Sequence, residues 1–427
     1  MDIMKKTLVI LTILSLALII GCAKKEEPGA EESAAAEEVE VLSAQELTPK
    51  EELGSRLFFD TRLSEPEGQA CAVCHGPTVG WTGPDEALNK AGSVYPGALE
   101  PRFGNRKPPA SAYAGFNPEL HRDEEGIFVG GMFWDGRATG WTLGDPLAEQ
   151  AMGPFLNPLE QNMPDSTAII RKVIDSDYAD LFREVWGEDS LDIEDPEATY
   201  EKIARSIAAY ERSTDMTKFT SKFDDFWRNA TRAGLEVASI DEGNIDRFLN
   251  LGLSEDELRG FALFNTTGLC SQCHVLDSVD DNPPLFTDFT YDNLGVPRNP
   301  DNPFYKMDKK WNPDEEKWVD KGLGGFLETT EKYKQFAPEN MGKQKVPTLR
   351  NVDLRPYDGF VKAFTHNGYF KTLKEVVNFY NTRDIEGANW PPPEIAANVN
   401  VDEMGDLGLT PEEEDLIVLF MTTLSDK

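Results

Sequence analysis

The pentapeptide Cys-x-x-Cys-His occurs twice in this chain, at residues 71–75 and 270–274. Its two thiols can add across the two vinyl groups of one haem while the adjacent histidine reaches the iron, so each copy is typical of c-type haem attachment. Two copies are not expected by chance, because the 427 residues include only 5 Cys and 4 His. The alternatives are disulfides or a Cys/His metal site, although zinc does not need a histidine directly after the second cysteine. The predicted haem-binding residues are Cys71, Cys74 and His75 for one haem and Cys270, Cys273 and His274 for the other.

The fifth cysteine, Cys22, belongs to a different pattern. Residues 1–21 carry two lysines near the start and then an apolar run, which is the form of a secretory signal peptide. The run ends at Ile-Ile-Gly-Cys22, which resembles a bacterial lipobox, where the peptide is cleaved before the cysteine and the cysteine is acylated. An uncleaved transmembrane anchor is the alternative, but the run is short for a span. Either pattern exports the domains, and the lipobox predicts the periplasmic side of a bacterial cell envelope, with the membrane as a partner through the lipid anchor at Cys22.

Composition bounds the organisation and the partners of the chain. Residues 24–38 are acidic and have almost nothing to bury, which predicts a disordered tether over residues 22–45. The rest is long enough for two haem domains, 46–240 and 241–427, with a turn-rich boundary near residues 240–248. The 76 Asp plus Glu against 42 Lys plus Arg give a net charge of −34, which argues against a nucleic-acid partner. This excess suits capture of a basic electron carrier, or simply the solubility of an exported protein.

Helices must position both haem motifs. Residues 47–59 and 253–264 share an N-cap followed by apolar residues at helical spacing, and each stretch precedes a short loop and Cys-x-x-Cys-His. This repeat predicts an internal duplication of one cytochrome-like unit. A further helix is predicted over Thr199–Glu211, and no alternating run is long enough for a substantial sheet. The predicted fold class is all-α, with two cytochrome c-like haem domains and little sheet.

Four more blocks carry a family resemblance: Leu57–Ser64, Phe133–Arg137, Val346–Val352 and Leu373–Tyr380. In this order around the two haem motifs, they resemble the bacterial di-haem cytochrome c peroxidase and MauG family over nearly all of the chain after the tether. The resemblance implies that the N-terminal haem on His75 binds and cleaves peroxide. It also implies that the C-terminal haem on His274 takes in electrons or stores an oxidising equivalent.

The same resemblance assigns catalytic roles to three residues. Trp134 matches the family's tryptophan between the haems, and would otherwise be read as a core tryptophan beside a turn. Glu160 matches the distal glutamate that moves a proton between the two peroxide oxygens. Without the resemblance, it would be interpreted as a solvated surface charge. Gln150 matches the neighbouring glutamine, although the segment Thr139–Pro146 looks longer than the family's usual link.

Two departures from the peroxidase pattern concern the iron ligands. Many di-haem peroxidases close the peroxidatic haem with a second histidine soon after the first motif, but residues 76–120 contain none and His121 reads as a surface residue. We therefore predict an open haem that needs no reductive activation. At the second haem, the position of the peroxidases' methionine ligand falls on Tyr380, as in MauG, and a phenolate lowers the haem potential relative to a thioether. The alternative is a core Tyr380, with Met404 or Met341 as the ligand.

The resemblance also implies a calcium ion between the domains, held by the Asn105 side chain and the carbonyls of Val361 and Ala363. The main functional prediction is a peroxidase that reduces hydrogen peroxide to water with electrons from a small periplasmic cytochrome c or cupredoxin. The alternative is a MauG-like enzyme that oxidises a partner protein through a bis-ferryl-type state. A plain di-haem electron carrier is disfavoured, because it needs neither an open haem nor a distal glutamate. A homodimer is compatible with either enzyme.

Overall fold

Helices form most of the secondary structure. The computed structural model describes residues 46–427, so the predicted signal peptide, the lipid-attachment residue Cys22 and the tether up to Gln45 lie outside the described residues. The helices are α1 (Pro49–Phe59), α2 (Cys71–Cys74), α3 (Glu86–Lys90), α4 (Pro146–Leu156), α5 (Ser166–Ile174), α6 (Ala179–Trp186), α7 (Pro196–Glu211), α8 (Lys222–Arg232), α9 (Glu255–Asn265), α10 (Gly322–Glu328), α11 (Leu373–Thr382) and α12 (Pro411–Thr422). No helix within 46–427 is both long and apolar enough to cross a membrane.

The strands are very short. β1 (His121–Arg122) pairs antiparallel with β2 (Phe128–Val129), and β3 (Tyr291–Asp292) pairs antiparallel with β4 (Gln344–Lys345). Helix dominance with little sheet is therefore confirmed. The second ladder joins segments more than 50 residues apart, and both segments follow the second haem motif in the chain.

The two predicted repeats adopt the same helix start and the same close crossing. Thr48 and Ser254 each cap their helix in a capping box, which satisfies backbone N–H groups that the helix itself leaves free. Six residues further on, Gly54 of α1 and Gly260 of α9 lie against backbone carbonyls of α7 and α12, where an added Cβ would overlap the carbonyl. Glycine is required at both crossings because only a residue without a side chain lets the backbones approach so closely. These shared features support the duplication.

Two separate hydrophobic clusters lie behind the haem motifs. The first is built from α1, α4, α5, α6 and α7, with Phe58 and Ile203 fully buried. The second is built from α8, α9, α11 and α12, where Phe261 stacks on Phe420 with ring centroids 4.4 Å apart. Phe223 of α8 belongs to the second cluster although α8 precedes residue 240. The division into haem domains at 240 stays a prediction.

A fully buried ion pair fixes the block Val346–Val352. Arg350 donates from Nη1 to Oδ1 of Asp224 at 2.5 Å, and from Nε and Nη2 to the carbonyl of Pro284. Both acceptors are needed, because a buried guanidinium without partners would be costly. The block therefore holds α8 against the loop that follows the second haem motif.

Candidate active site

The first haem motif lines a large cavity. Cys71, Cys74 and His75 all face it, and its free space including the mouth is ≈ 1700 Å³. Without the open mouth the cavity volume is ≈ 490 Å³, within the ~300–1,000 Å³ typical of ligand pockets, so a macrocycle has room. The four motif thiols are free, which does not support the disulfide alternative. The donor set and the space fit a covalently attached haem.

Both motif histidines keep one ring nitrogen available for a metal. Nδ1 of His75 lies 3.1 Å from the carbonyl oxygen of Trp81 and 3.0 Å from Oγ of Ser111. Nδ1 of His274 lies 2.8 Å from the carbonyl oxygen of Phe286. A proton on Nδ1 that is donated to a carbonyl leaves the lone pair on Nε2, which is the tautomer that an iron ligand requires.

Glu160 and Gln150 line the same cavity as His75. Gln150 lies on α4, and Glu160 lies in the turn that follows it, where its carboxylate accepts a hydrogen bond from Nδ2 of Asn157 at 2.8 Å. Burial raises the pKa of Glu160 above its ordinary value, while Arg137 and the Asn157 hydrogen bond act in the opposite direction. A carboxyl group with a raised pKa, on the wall of a ligand cavity, is suited to proton transfer.

The long segment before α4 is tied back onto that helix. The Glu149 carboxylate accepts backbone N–H groups from Gly140 at 2.7 Å, Thr142 at 2.7 Å and Leu143 at 2.9 Å. Because Glu149 directly precedes Gln150, this anchor fixes the start of α4. The longer link therefore does not remove Gln150 from the cavity.

Trp134 lines the cavities of both haem motifs. Its Nε1 donates to the carbonyl of Lys107 at 2.8 Å, and the side chain is buried. The next residue, Asp135, accepts from Arg106 at 2.6 Å and from Arg137 at 3.0 Å, which fixes the turn that carries the indole. The structure thus brings the predicted relay residue to the place where the two cavities adjoin.

The second cavity contains two of the three candidate axial ligands. Cys270, Cys273 and His274 line a space of ≈ 1690 Å³ including the mouth, together with Tyr380 of α11 and Met404. Met341 is not among the lining residues and packs instead beside a neighbouring apolar cluster. Burial raises the pKa of Tyr380 well above its ordinary value. The choice between Tyr380 and Met404 stays a prediction.

The other two histidines lie outside the first cavity. His121 is exposed in β1, where its Nδ1 lies 2.8 Å from the carbonyl oxygen of Glu119. His366 lines the second cavity, with Nε2 3.8 Å from a Glu394 carboxylate oxygen. All four histidines of the chain fall within 46–427, and in that range only His75 lines the first cavity.

The predicted calcium donors do not fit that ion. The Val361 carbonyl already accepts a hydrogen bond from Nδ2 of Asn89 at 3.1 Å. Asn105 lines the first cavity. Lys362, which stands between Val361 and Ala363 in the sequence, is buried, and its Nζ donates to three backbone carbonyls. Calcium prefers six to eight oxygen ligands at about 2.3–2.6 Å, so it would have to compete with Asn89 for the Val361 carbonyl beside this buried amine.

One buried acid at the first cavity escaped prediction. Glu211, at the end of α7, is 2% exposed, lines the cavity and has an Oε2 atom without a hydrogen-bond partner among residues 46–427. Burial raises its pKa to about 8, with Ser111 acting in the opposite direction. The available signal was its spacing, since Glu211 follows Ile203 and Ile207 at successive steps of four residues on the apolar face of α7.

Comparisons with known proteins connect this chain with di-haem peroxidases and with MauG. Residues 48–232 match the family model described as "Di-haem cytochrome c peroxidase". The methylamine utilization protein MauG of Paracoccus denitrificans is 33% identical over 390 residues, which cover 88% of each chain. The cytochrome c551 peroxidase of Nitrosomonas europaea is 29% identical over 328 residues, 76% of this chain and 71% of that protein.

Among solved structures, the diheme peroxidase BthA from Burkholderia thailandensis superposes with a TM-score of 0.72 at 28% identity, over 90% of this chain and 87% of that chain. A MauG-like protein associated with microbial copper homeostasis shares the fold, with a TM-score of 0.58 at 21% identity, over 90% of this chain and 91% of that one. The similarity therefore extends across both haem motifs.

Proposed function

The chain belongs to the di-haem cytochrome c peroxidase and MauG family, and from this premise we propose that it is a di-haem c-type peroxidase that reduces hydrogen peroxide to water with electrons from a small periplasmic redox protein. The family consists of oxidoreductases whose two c-type haems account for both Cys-x-x-Cys-His motifs. The reaction consumes one hydrogen peroxide, two electrons and two protons and yields two waters.

One observation carries this proposal. The first cavity combines His75, which has a free Nε2 position, with the buried carboxyl group of Glu160, and its lining includes no second histidine within 46–427. A histidine-ligated haem iron, when bound there, supplies the electrons that cleave the O–O bond. The chain supplies the proton transfer, since the Glu160 carboxylate accepts the proton of one peroxide oxygen and returns it to the other. Gln150 contributes an amide on the same wall, suited to orienting peroxide.

The route of the electrons is proposed from the position of Trp134. Its indole lies on the walls of both cavities, so the donor's electrons enter at the second cavity and pass towards the first through this residue. The proposed donor is a small basic cytochrome c or cupredoxin, because the net charge of −34 attracts a cationic carrier. The periplasmic location and the lipid anchor at Cys22 remain part of the proposal.

Steady-state kinetics test the main proposal. The di-haem protein is mixed with hydrogen peroxide and a reduced basic cytochrome c, and the cytochrome's absorbance reports its oxidation. We expect rapid oxidation that depends on both the enzyme and peroxide, and that slows at high ionic strength because the attraction is screened. Absence of turnover with cytochromes and cupredoxins, although peroxide still reacts with the protein, would shift the assignment to oxidation of a partner protein.

The second candidate function, oxidation of a partner protein, is favoured by Tyr380. A tyrosine at the second cavity in place of methionine suits a site that stores oxidising equivalents, since phenolate stabilises the oxidised iron. This candidate uses the same peroxide step at Glu160 and the same relay at Trp134. The two functions differ only in the protein that gives up electrons.

The ferric enzyme should contain a high-spin haem as isolated. With His75 alone at the first cavity, the iron there is expected to be five-coordinate or weakly water-bound. Electron paramagnetic resonance should therefore show a substantial high-spin signal, and the fully oxidised protein should react with peroxide directly. Two low-spin signals, with no peroxide reaction until one haem is reduced, would contradict this prediction.

A further inference from the structure

Three lysines lie where two chain segments meet, and two of them donate hydrogen bonds to both segments. The first segment, residues 76–111, follows the first haem motif, and the second, residues 346–371, precedes α11. Lys107 belongs to the first segment, while Lys362 and Lys371 belong to the second. Lys107 and Lys362 are almost fully buried, at 8% and 3% exposure.

Lys362 has the most complete set of contacts. Its Nζ donates to the carbonyl of Val79 in the first segment at 2.9 Å, and to the carbonyls of Asn351 and Leu354 in the second at 3.0 Å each. Burial lowers the pKa of this amine. However, three carbonyl acceptors match the three N–H groups of the charged form, whereas the neutral amine has only two hydrogens to donate. The contacts therefore favour an ammonium ion.

Lys371 makes the same kind of bridge at the edge of the interface. Its Nζ donates to the Ala91 carbonyl at 3.1 Å and Oγ of Ser93 at 2.6 Å in the first segment, and to the Gly368 carbonyl at 2.7 Å in the second. No carboxylate takes part in these bonds. Carbonyl and hydroxyl oxygens from two segments are also the ligands with which proteins hold hard metal cations.

Lys107 links this interface to the relay residue. Its Nζ donates to Oγ1 of Thr82 at 2.8 Å and to the Pro108 carbonyl at 3.0 Å, and its backbone N–H donates to the His366 carbonyl at 2.8 Å. Its own carbonyl accepts from Trp134 Nε1. One residue thus joins the loop after the first motif, the second segment and the indole between the cavities.

We propose that the ammonium groups of Lys362 and Lys371 are the bridging cations of this interface, so that the protein holds its two haem segments together without calcium. A divalent ion at Val361 and Ala363 would lie next to Lys362, the residue between them, and would be repelled by a positive charge in a poorly screened interior. The carbonyl of Val361 is already used by Asn89, and the lysines satisfy the neighbouring oxygens.

The test begins with the di-haem protein purified in calcium-containing buffer, treated with EDTA or with buffer alone, and gel-filtered. Calcium content is measured by mass spectrometry and thermal stability by calorimetry. We expect far less than one calcium per chain and the same Tm in both samples. One tightly held calcium per chain, whose removal lowers the Tm, would overturn the proposal. These readouts do not depend on peroxidase activity, so they separate this inference from the proposed function.

Variants test the lysines themselves. Lys362→Met keeps the length of the side chain and removes the charge, which leaves three buried carbonyls without a donor, so the Tm should fall by several degrees and added calcium should not restore it. Lys371→Met, at a partly exposed site, should fold readily and show a smaller loss of Tm. The matched control is Lys321→Met, because that exposed lysine pairs only with Glu328 at the surface. A Tm for Lys371→Met and Lys362→Met equal to that of the control, or recovery of the Tm with calcium, would overturn the proposal.

Discussion

Replacing Glu160 with glutamine is expected to slow the reaction with hydrogen peroxide by about 100-fold or more, within the 10²–10⁴-fold range typical of a lost general acid/base. Both haems and the fold should be retained, because the carboxylate makes a single side-chain hydrogen bond, to Asn157, that an amide oxygen can also accept. Stopped-flow spectroscopy of the ferric protein measures the rate. An unchanged rate would show that Glu160 is not the proton-transfer group.

The pH dependence of the same reaction gives an independent reading. Glu160 acts first as a base, so its carboxyl group must be ionised. Because its pKa is raised, the group becomes protonated at a higher pH than an ordinary glutamate does when the pH is lowered. The rate constant in the parent protein should therefore rise with pH through a step above pH 4.5, the ordinary value, and this step should be absent in Glu160→Gln. The exposed change Glu188→Gln serves as a control and should keep both the rate and the step.

Replacing Tyr380 with methionine is expected to raise the potential of the second haem by on the order of a few tenths of a volt, within the roughly 0.8 V over which axial ligands tune haem iron. Peroxide should convert the parent protein into a long-lived state that is oxidised by two electrons. In the variant the lifetime of this state should be much shorter, because phenolate no longer stabilises the oxidised iron. Spectroelectrochemistry measures the potential, and rapid-scan absorption measures the lifetime.

The parent spectrum decides between the two candidate ligands before any variant is made. Met404 lines the same cavity as Tyr380, so it is the residue that would replace the phenol. A near-infrared sulfur-to-iron band in the ferric parent would assign the ligand to methionine and would favour an ordinary cytochrome c peroxidase. Tyr369→Met is the matched control, since Tyr369 is a partly buried tyrosine outside the cavity lining and its replacement should leave the potential unchanged.

Local sequence patterns predicted the parts of the site that depend on neighbouring residues. A haem motif needs its two cysteines and its histidine within five positions, so the spacing alone indicated both cavities, and helix caps indicated the start of α1 and α9. Helix α7 begins at Pro196 instead of Thr199, because the capping residue is Asp195, which the apolar spacing did not reveal. The little-sheet prediction rested on the same periodicity and is confirmed.

Tertiary placement governed the features that the sequence did not reveal. Tyr380 and Met404 are 24 positions apart, yet both reach one cavity, and no local pattern tells which atom faces the iron. Buried lysines have no sequence signature, since Lys362 is distinguished from surface lysines only by contacts such as that with the carbonyl of the distant Val79. The resemblance supplied a calcium site, but the hydrogen bond from Asn89 shows that one of the oxygens expected for it, the Val361 carbonyl, is already engaged.

The buried thiols of the haem motifs bear on the order of events during biogenesis. Burial raises the pKa of Cys74 and of Cys270 to about 12, so in the folded chain almost no thiolate exists at neutral pH to add to a vinyl group. A thiol with a raised pKa reacts more slowly, so we expect thioether formation to be faster before the helices close around each motif. Attachment of haem to the unfolded chain should therefore outpace attachment to a chain that has already folded.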